Sequence, residues 1–230
     1  MTGFGISERY RKISDLPDLL PVFPLKSVIV LPRATLPLNV FEPRYLTMVD
    51  DVLGNDRIVG IIQPEMADEA DQSPIGSEIS LRSVGCAGRI TAFQETDDGR
   101  MLITLSGVCR FELRQEVESD DPYRLFQADY SKFSSDLEKG TGEDEVNRDH
   151  LLTVLRTYLK INELNADWQS IDKSSNEFLV NTLSMISPYG PAEKQALLEA
   201  PTLSDRSEVL VALAEMELAS RDDGSDTTIQ

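Results

Sequence analysis

Between Leu20 and Leu46 the chain sets three short apolar segments between prolines and then runs directly into a helix pattern. The segments read Leu20-Pro-Val-Phe-Pro-Leu, Val28-Ile-Val-Leu-Pro and Leu36-Pro-Leu-Asn-Val-Phe. Short apolar runs cut by prolines are the punctuation of an all-β unit. Pro43 then suits a first helical position. Tyr45, Leu46, Val49, Val52 and Leu53 recur at helical spacing until Gly54 stops the run.

The same punctuation continues to about residue 133, where β-branched and aromatic runs are cut by Pro, Gly and Asp. Strands are expected over 22–23, 28–31, 35–38, 57–63, 85–93, 101–113 and 123–132. A hairpin should join 85–93 to 101–113 across Thr96-Asp-Asp-Gly-Arg, because Asp-Gly supplies the positive φ of a tight turn. Ile90 and Ala92 then share a face with Ile103 and Leu105. Alternation outward from the turn places Cys86 and Cys109 on that face too. Two readings follow for the thiols: small buried core residues, or a cross-strand pair able to oxidise, the latter disfavoured as a permanent bond in a reducing compartment.

Residues 65–74 read as an acidic exposed loop and 134–145 as a linker. Beyond it the apolar residues take helical spacing: Leu151, Val154, Leu155, Tyr158 and Leu159, then Phe178, Leu179, Leu183 and Ile186. Ser174 with Glu177 resembles a capping box, and Pro191 and Ser204 are candidate helix starts. The expected organisation is a flexible segment 1–19, a β subdomain 20–133, the linker, a helical bundle 146–220 and a disordered tail 221–230. The fold class is α+β: an N-terminal β pseudo-barrel with one inserted helix, followed by about four helices.

A formal net charge of −18 disfavours nucleic acid, whose non-specific binding draws on Lys and Arg displacing counterions. No apolar run approaches the ~20 residues of a membrane span, and residues 1–20 lack the apolar core of a secretory signal, so a cytoplasmic location is expected. No phosphate-cradling Gly-x-x-x-x-Gly-Lys motif is present. His150 is the sole histidine and sits in a charged helix lead-in, which fits a solvated side chain rather than catalysis or metal binding. The residues call for no cofactor, metal or catalytic group.

Taken together, the proline-bounded openings, Phe41-Glu42-Pro43-Arg44-Tyr45, Ile75-Gly-Ser-Glu-Ile, Val84-Gly-Cys-Ala-Gly-Arg-Ile, Leu105-Ser-Gly-Val-Cys-Arg-Phe and Leu197-Leu-Glu-Ala-Pro-Thr-Leu-Ser-Asp-Arg resemble the amino-terminal substrate-binding domain of Lon proteases, in a free-standing bacterial form. The resemblance implies a PUA-like pseudo-barrel with a small helical bundle. It also implies a non-catalytic module, without ATPase or Ser-Lys peptidase, that binds polypeptide segments or unfolded proteins and works beside a cellular protease. Alternatives are an RNA-binding PUA-like module, opposed by the acidity, and an adaptor for one folded partner. Candidate polypeptide-binding residues are Phe41, Glu42, Arg44 and Tyr45 at the strand-helix junction, and Arg89 and Arg110 as outward cations of the paired strands. The alternative reading of the junction is architectural, with Phe41 and Tyr45 packed under the helix and Arg44 paired locally. For Arg89 and Arg110 it is an ordinary sheet face.

Overall fold

The computed structural model describes residues 9–65, 79–161 and 165–225. The acidic loop expected over 65–74, beyond its first residue, and the start of the Ile75 motif lie outside them. The chain divides into two compact units, one of residues 1–139 and 188–198, the other of 140–187 and 199–230.

The first unit is built on one mixed sheet. Its strands are β1 (Leu19–Pro24), β2 (Thr35–Val40), β3 (Ile58–Ile62), β4 (Val84–Glu95), β5 (Met101–Val117) and β6 (Arg124–Asp129), with α1 (Pro43–Leu53) between β2 and β3. The order is β2-β5-β4-β3-β1-β6, and β6 pairs again with β5. Five strands therefore close into a ring, and among the described residues β2 pairs with β5 alone. β5 serves both partners because it is 17 residues long: residues 101–106 face β2 and residues 112–117 face β6. Register shifts at Ala87/Gly88, Ile90/Ala92 and Leu113/Glu116 bend the long strands, as ring closure requires.

Phe111, fully buried, fills the ring together with Leu20. Glycine makes the space: a Cβ on Gly85 would stand 2.6 Å from the Phe111 ring and from the Ile61 carbonyl. Tyr130 meets Phe111 edge-on at 6.3 Å and donates to the Pro17 carbonyl at 3.1 Å. The segment before β1, expected to be flexible, is tied down over residues 10–16. Tyr10 and Leu16 are buried, and the Asp15 carboxylate accepts the backbone N–H groups of Arg11 and Lys12.

Three strand expectations change in the structure. Residues 28–31 are not a strand: Ile29, Val30 and Leu31 are buried, but Ser27 and Arg33 on either side have φ of 59° and 63°, which breaks extended geometry. This loop presses so closely on β5 that a Cβ at Gly107 would lie 2.0 Å from the Leu31 carbonyl oxygen. Ala92 is exposed rather than inward, because the shift after Ile90 turns the strand over, while Ile90, Ile103 and Leu105 are buried as expected. The shift at Ala87/Gly88 likewise undoes the expected thiol alignment. Cys86 pairs with Arg110 and Ala87 with Cys109, so the two thiols stand on opposite faces of the hairpin. Both are buried and neither is in a disulfide. Burial pushes the Cys109 thiol far above its ordinary range, and it donates to the Phe133 carbonyl.

The expected linker is partly core. A 3-10 segment, Ser131–Leu137, buries Phe133, Asp136 and Leu137 against β5. Helix α5 (Pro191–Glu199), counted in the sequence reading as part of the bundle, groups with the barrel instead. Hydrogen bonds explain why. The Gln195 amide donates to the Val84 carbonyl at 3.0 Å, and Gln63 donates to both the Pro191 carbonyl and Gln195 Oε1. In the remaining unit, α2 (Arg148–Ile161) and α4 (Asn176–Ile186) each contact α6 (Leu203–Ser225), and a short α3 (Trp168–Lys173) was not anticipated.

The α4 cap is Ser175, one residue beyond the expected Ser174: its Oγ accepts the Phe178 N–H at 3.2 Å. Thr202 and Asp205 start α6 by reciprocal hydrogen bonds, just before the expected Ser204. The backbone of α6 stays helical to Ser225, past the tail expected from residue 221. No helix of the described residues is long and apolar enough to cross a membrane.

Candidate functional site

The junction of β2 and α1 is held from several sides. Glu42 occupies the N-cap, Pro43 the first turn, and the Glu42 carbonyl accepts the N–H groups of Tyr45 and Leu46. The Glu42 side chain does not cap the helix. It accepts both Nε and Nη2 of Arg44, at 3.0 and 2.8 Å. The Arg44 guanidinium lies 4.6 Å from the Tyr45 ring, and that ring stacks on Phe23 with centroids 4.2 Å apart. Tyr45 is 4% exposed, and desolvation raises its hydroxyl pKa. It is packed into the junction and exposes almost none of its surface.

Phe41 behaves in the opposite way. It is 61% exposed, and Arg100 lies over its ring at 6.0 Å. The register sets Asn39, Leu102 and Gln94 in one row and Leu38, Ile103 and Phe93 in the next. Leu102, 44% exposed, therefore shares the outer face of the sheet with Asn39, and alternation from Asn39 turns Phe41 to the same side. Phe93, 49% exposed, opens on the other face at the same end of the hairpin. Leu102 and Phe93 were missed in the sequence. The signal for Leu102 was present, a leucine at the polar phase between the inward Met101 and Ile103; Phe93 needed the bulge, which leaves no sequence mark.

Of the two strand arginines, Arg110 is buried and Arg89 is half-buried. Arg110 is 3% exposed, and its Nε and Nη2 grip the Asp136 carboxylate at 2.8 Å each. Its Nη1 donates to the Leu198 carbonyl at 3.1 Å, and its guanidinium covers Phe133 at 4.5 Å. Arg89 is half-buried and donates to the Tyr10 hydroxyl and the Asp56 carbonyl, at 2.9 and 2.7 Å. Sequence alternation missed the layer, residues 131–137 and α5, that covers Arg110. His150 is exposed and stands 3.4 Å from Glu215. Among the described residues no group of His, Cys, Asp and Glu is disposed to hold a metal ion.

A closed β pseudo-barrel with an inserted helix, followed by a helical C-terminal region, defines an α+β fold of the Lon N-terminal class. The model of the ATP-dependent protease La (LON) substrate-binding domain matches residues 19–215, and the chain belongs to that family. The Lon protease of Syntrophus aciditrophicus is 24% identical over 217 residues, 93% of this chain and 27% of that protein. The Lon protease of Cytophaga hutchinsonii is 25% identical over 210 residues and is covered to 25%. The chain thus spans about a quarter of the length of these relatives. The crystal structure of a Lon N-terminal domain protein from Xanthomonas campestris superposes with a TM-score of 0.58 at 24% identity, covering 84% of this chain and 97% of that one. The N-terminal domain of the Mycobacterium avium complex Lon protease gives 0.62 at 16% identity, covering 86% and 98%.

Proposed function

We propose that this chain is a non-catalytic recognition module that binds polypeptide segments carrying exposed apolar side chains, in the service of proteolysis. The observation that carries the reading is Phe41. In a member of a substrate-binding family, a phenylalanine 61% exposed is held on a rigid junction, with exposed Leu102 on the same face and an arginine over its ring. Aromatic and arginine side chains on a fixed scaffold are the usual anchors of interfaces, and little ordering entropy is lost when they bind. Phe41 and Leu102 form the contact surface. Glu42 and Arg44 form its polar rim, and Tyr45, Arg89 and Arg110 hold the scaffold. The partner is an unfolded or extended segment, which a cellular protease would then receive. Neutral or basic segments are favoured by the −18 charge.

Fluorescence anisotropy of a labelled, permanently unfolded polypeptide tests this at low and at physiological salt. Saturable binding that survives salt is expected, with Phe41→Ser and Leu102→Ser each weakening it about tenfold at unchanged thermal stability. A single-stranded RNA of similar length should not bind at physiological salt. Wild-type affinity in both variants, or no polypeptide binding at all, refutes the reading.

A further inference from the structure

Among the described residues the outer edge of β2 is an unpaired ladder with a defined phase. Gly107 N–H donates to the Ala34 carbonyl at 2.9 Å, and Thr35 faces Ser106 in register. Antiparallel alternation then commits the N–H and C=O groups of Leu36, Leu38 and Val40 to β5, and turns away from it the N–H and C=O groups of Thr35 and Asn39 and the carbonyl of Pro37. Among the described residues β2 pairs with no other strand, and Thr35, Pro37 and Asn39 are exposed. The ring strands have no such edge along their paired lengths, since closure satisfies both sides. Pro37 sits in the one phase where its missing N–H removes nothing from the β5 ladder.

The geometry points to β2 as a strand-addition site: an extended segment of another polypeptide pairs along Thr35–Val40 and continues the sheet outward. This inference rests on the polypeptide-binding reading and adds its mode. Outward carbonyls at every second residue, with N–H donors at Thr35 and Asn39, specify an extended backbone as the occupant, because its own donors and acceptors recur at that repeat. The incoming side chains in the rows of Leu36 and Leu38 lie beside half-buried leucines and should be apolar. Those in the rows of Thr35, Pro37 and Asn39 face outward, toward Leu102 and Phe41, and are less constrained. A second copy of the chain is the poorer occupant. An antiparallel β2 pair centred on Pro37 would set two residues without N–H groups opposite each other, between molecules that each carry −18.

The test uses a peptide of alternating leucine and polar residues, labelled for anisotropy, against the full chain. N-methylation of single peptide amides should weaken binding about tenfold in one of the two alternating sets and leave the other within about twofold, since only one set faces β2. In the protein, Asn39→Pro removes an outward N–H that β5 does not use. It should keep the wild-type melting temperature and lose about tenfold in affinity, whereas Asn39→Ala binds normally. Pro37→Ala, which restores a donor, should bind more tightly. Peptide that binds but tolerates N-methylation at every position, or binds Asn39→Pro as it binds wild type, overturns strand addition and leaves the recognition reading standing. Absence of binding to any unfolded polypeptide overturns both. Sedimentation showing a wild-type dimer that Asn39→Pro abolishes would assign the edge to a second copy and overturn the foreign strand.

Discussion

Removing the Asp136 carboxylate should destabilise the barrel more than any change at its exposed ion pairs. Asp136 accepts three donors from one residue: the Arg110 backbone N–H at 2.9 Å, and Nε and Nη2 at 2.8 Å each. Both side chains are almost wholly buried, at 3% and 8% exposure. Asp136→Ala takes the gripped carboxylate away from a guanidinium that also donates to the Leu198 carbonyl and covers the Phe133 ring. Breaking a buried ion pair of this kind by removing one partner costs about 3 to 5 kcal/mol, a large share of the ~5 to 15 kcal/mol that holds a typical domain together.

With a urea m-value of about 2 kcal/mol/M, the midpoint should fall by about 2 M. Near-ultraviolet circular dichroism of the buried Tyr45 and Tyr130 follows the transition in this unit. Combining Arg110→Met with Asp136→Leu removes both charges and should recover most of the loss. A residual of about 1 kcal/mol is expected from the Arg110 N–H left without its acceptor. A loss below about 1 kcal/mol in Asp136→Ala, or a double variant no more stable than the single one, would refute the assignment of this cost to a broken buried ion pair.

Two further outcomes separate scaffold from surface and test the buried lysine. Tyr45→Ala should cost about 3 kcal/mol, because it empties a site stacked on Phe23. Glu42→Gln, which touches only a partly exposed pair, should cost under about 1 kcal/mol by the same denaturation assay. Lys194 is 2% exposed, and burial pushes its pKa down from 10.5 to about 8. The unfolded chain therefore binds more protons at this position between those values, and its contribution to stability rises with pH across that window. Lys194→Met should be more stable than wild type at pH 7, by an amount of order 2 kcal/mol, and the difference should shrink as pH approaches 10.5, as read from urea midpoints.

Local chemistry was legible in the sequence wherever one residue decides the backbone. Pro43 and Gly54 bound α1 as expected, because a missing N–H suits the first turn and glycine ends the run. Asp98-Gly99 turns the β4–β5 hairpin, with Gly99 at φ 78°. The apolar periodicities at 45–53, 151–155 and 178–186 mark real helices, although Phe178 and Ile186 in the last of them are exposed. The order of motifs also carried the family, since it records a whole fold rather than any single contact.

Tertiary structure alone decided what touches what. Alternation placed Arg110 outward, and only the packing of residues 131–137 and 191–199 over that face makes it a buried pair instead of a surface cation. Tyr45 and Phe41 are neighbours of similar composition in the chain, yet Phe23 covers one and nothing among the described residues covers the other to the same degree. β-bulges re-aim Ala92, Phe93 and the two cysteines, because one inserted residue inverts every side chain beyond it. The outward phase of Pro37 depends on which neighbour β2 has and in what register, and hydrogen-bond partners drawn from some 70 residues along the chain leave no local mark.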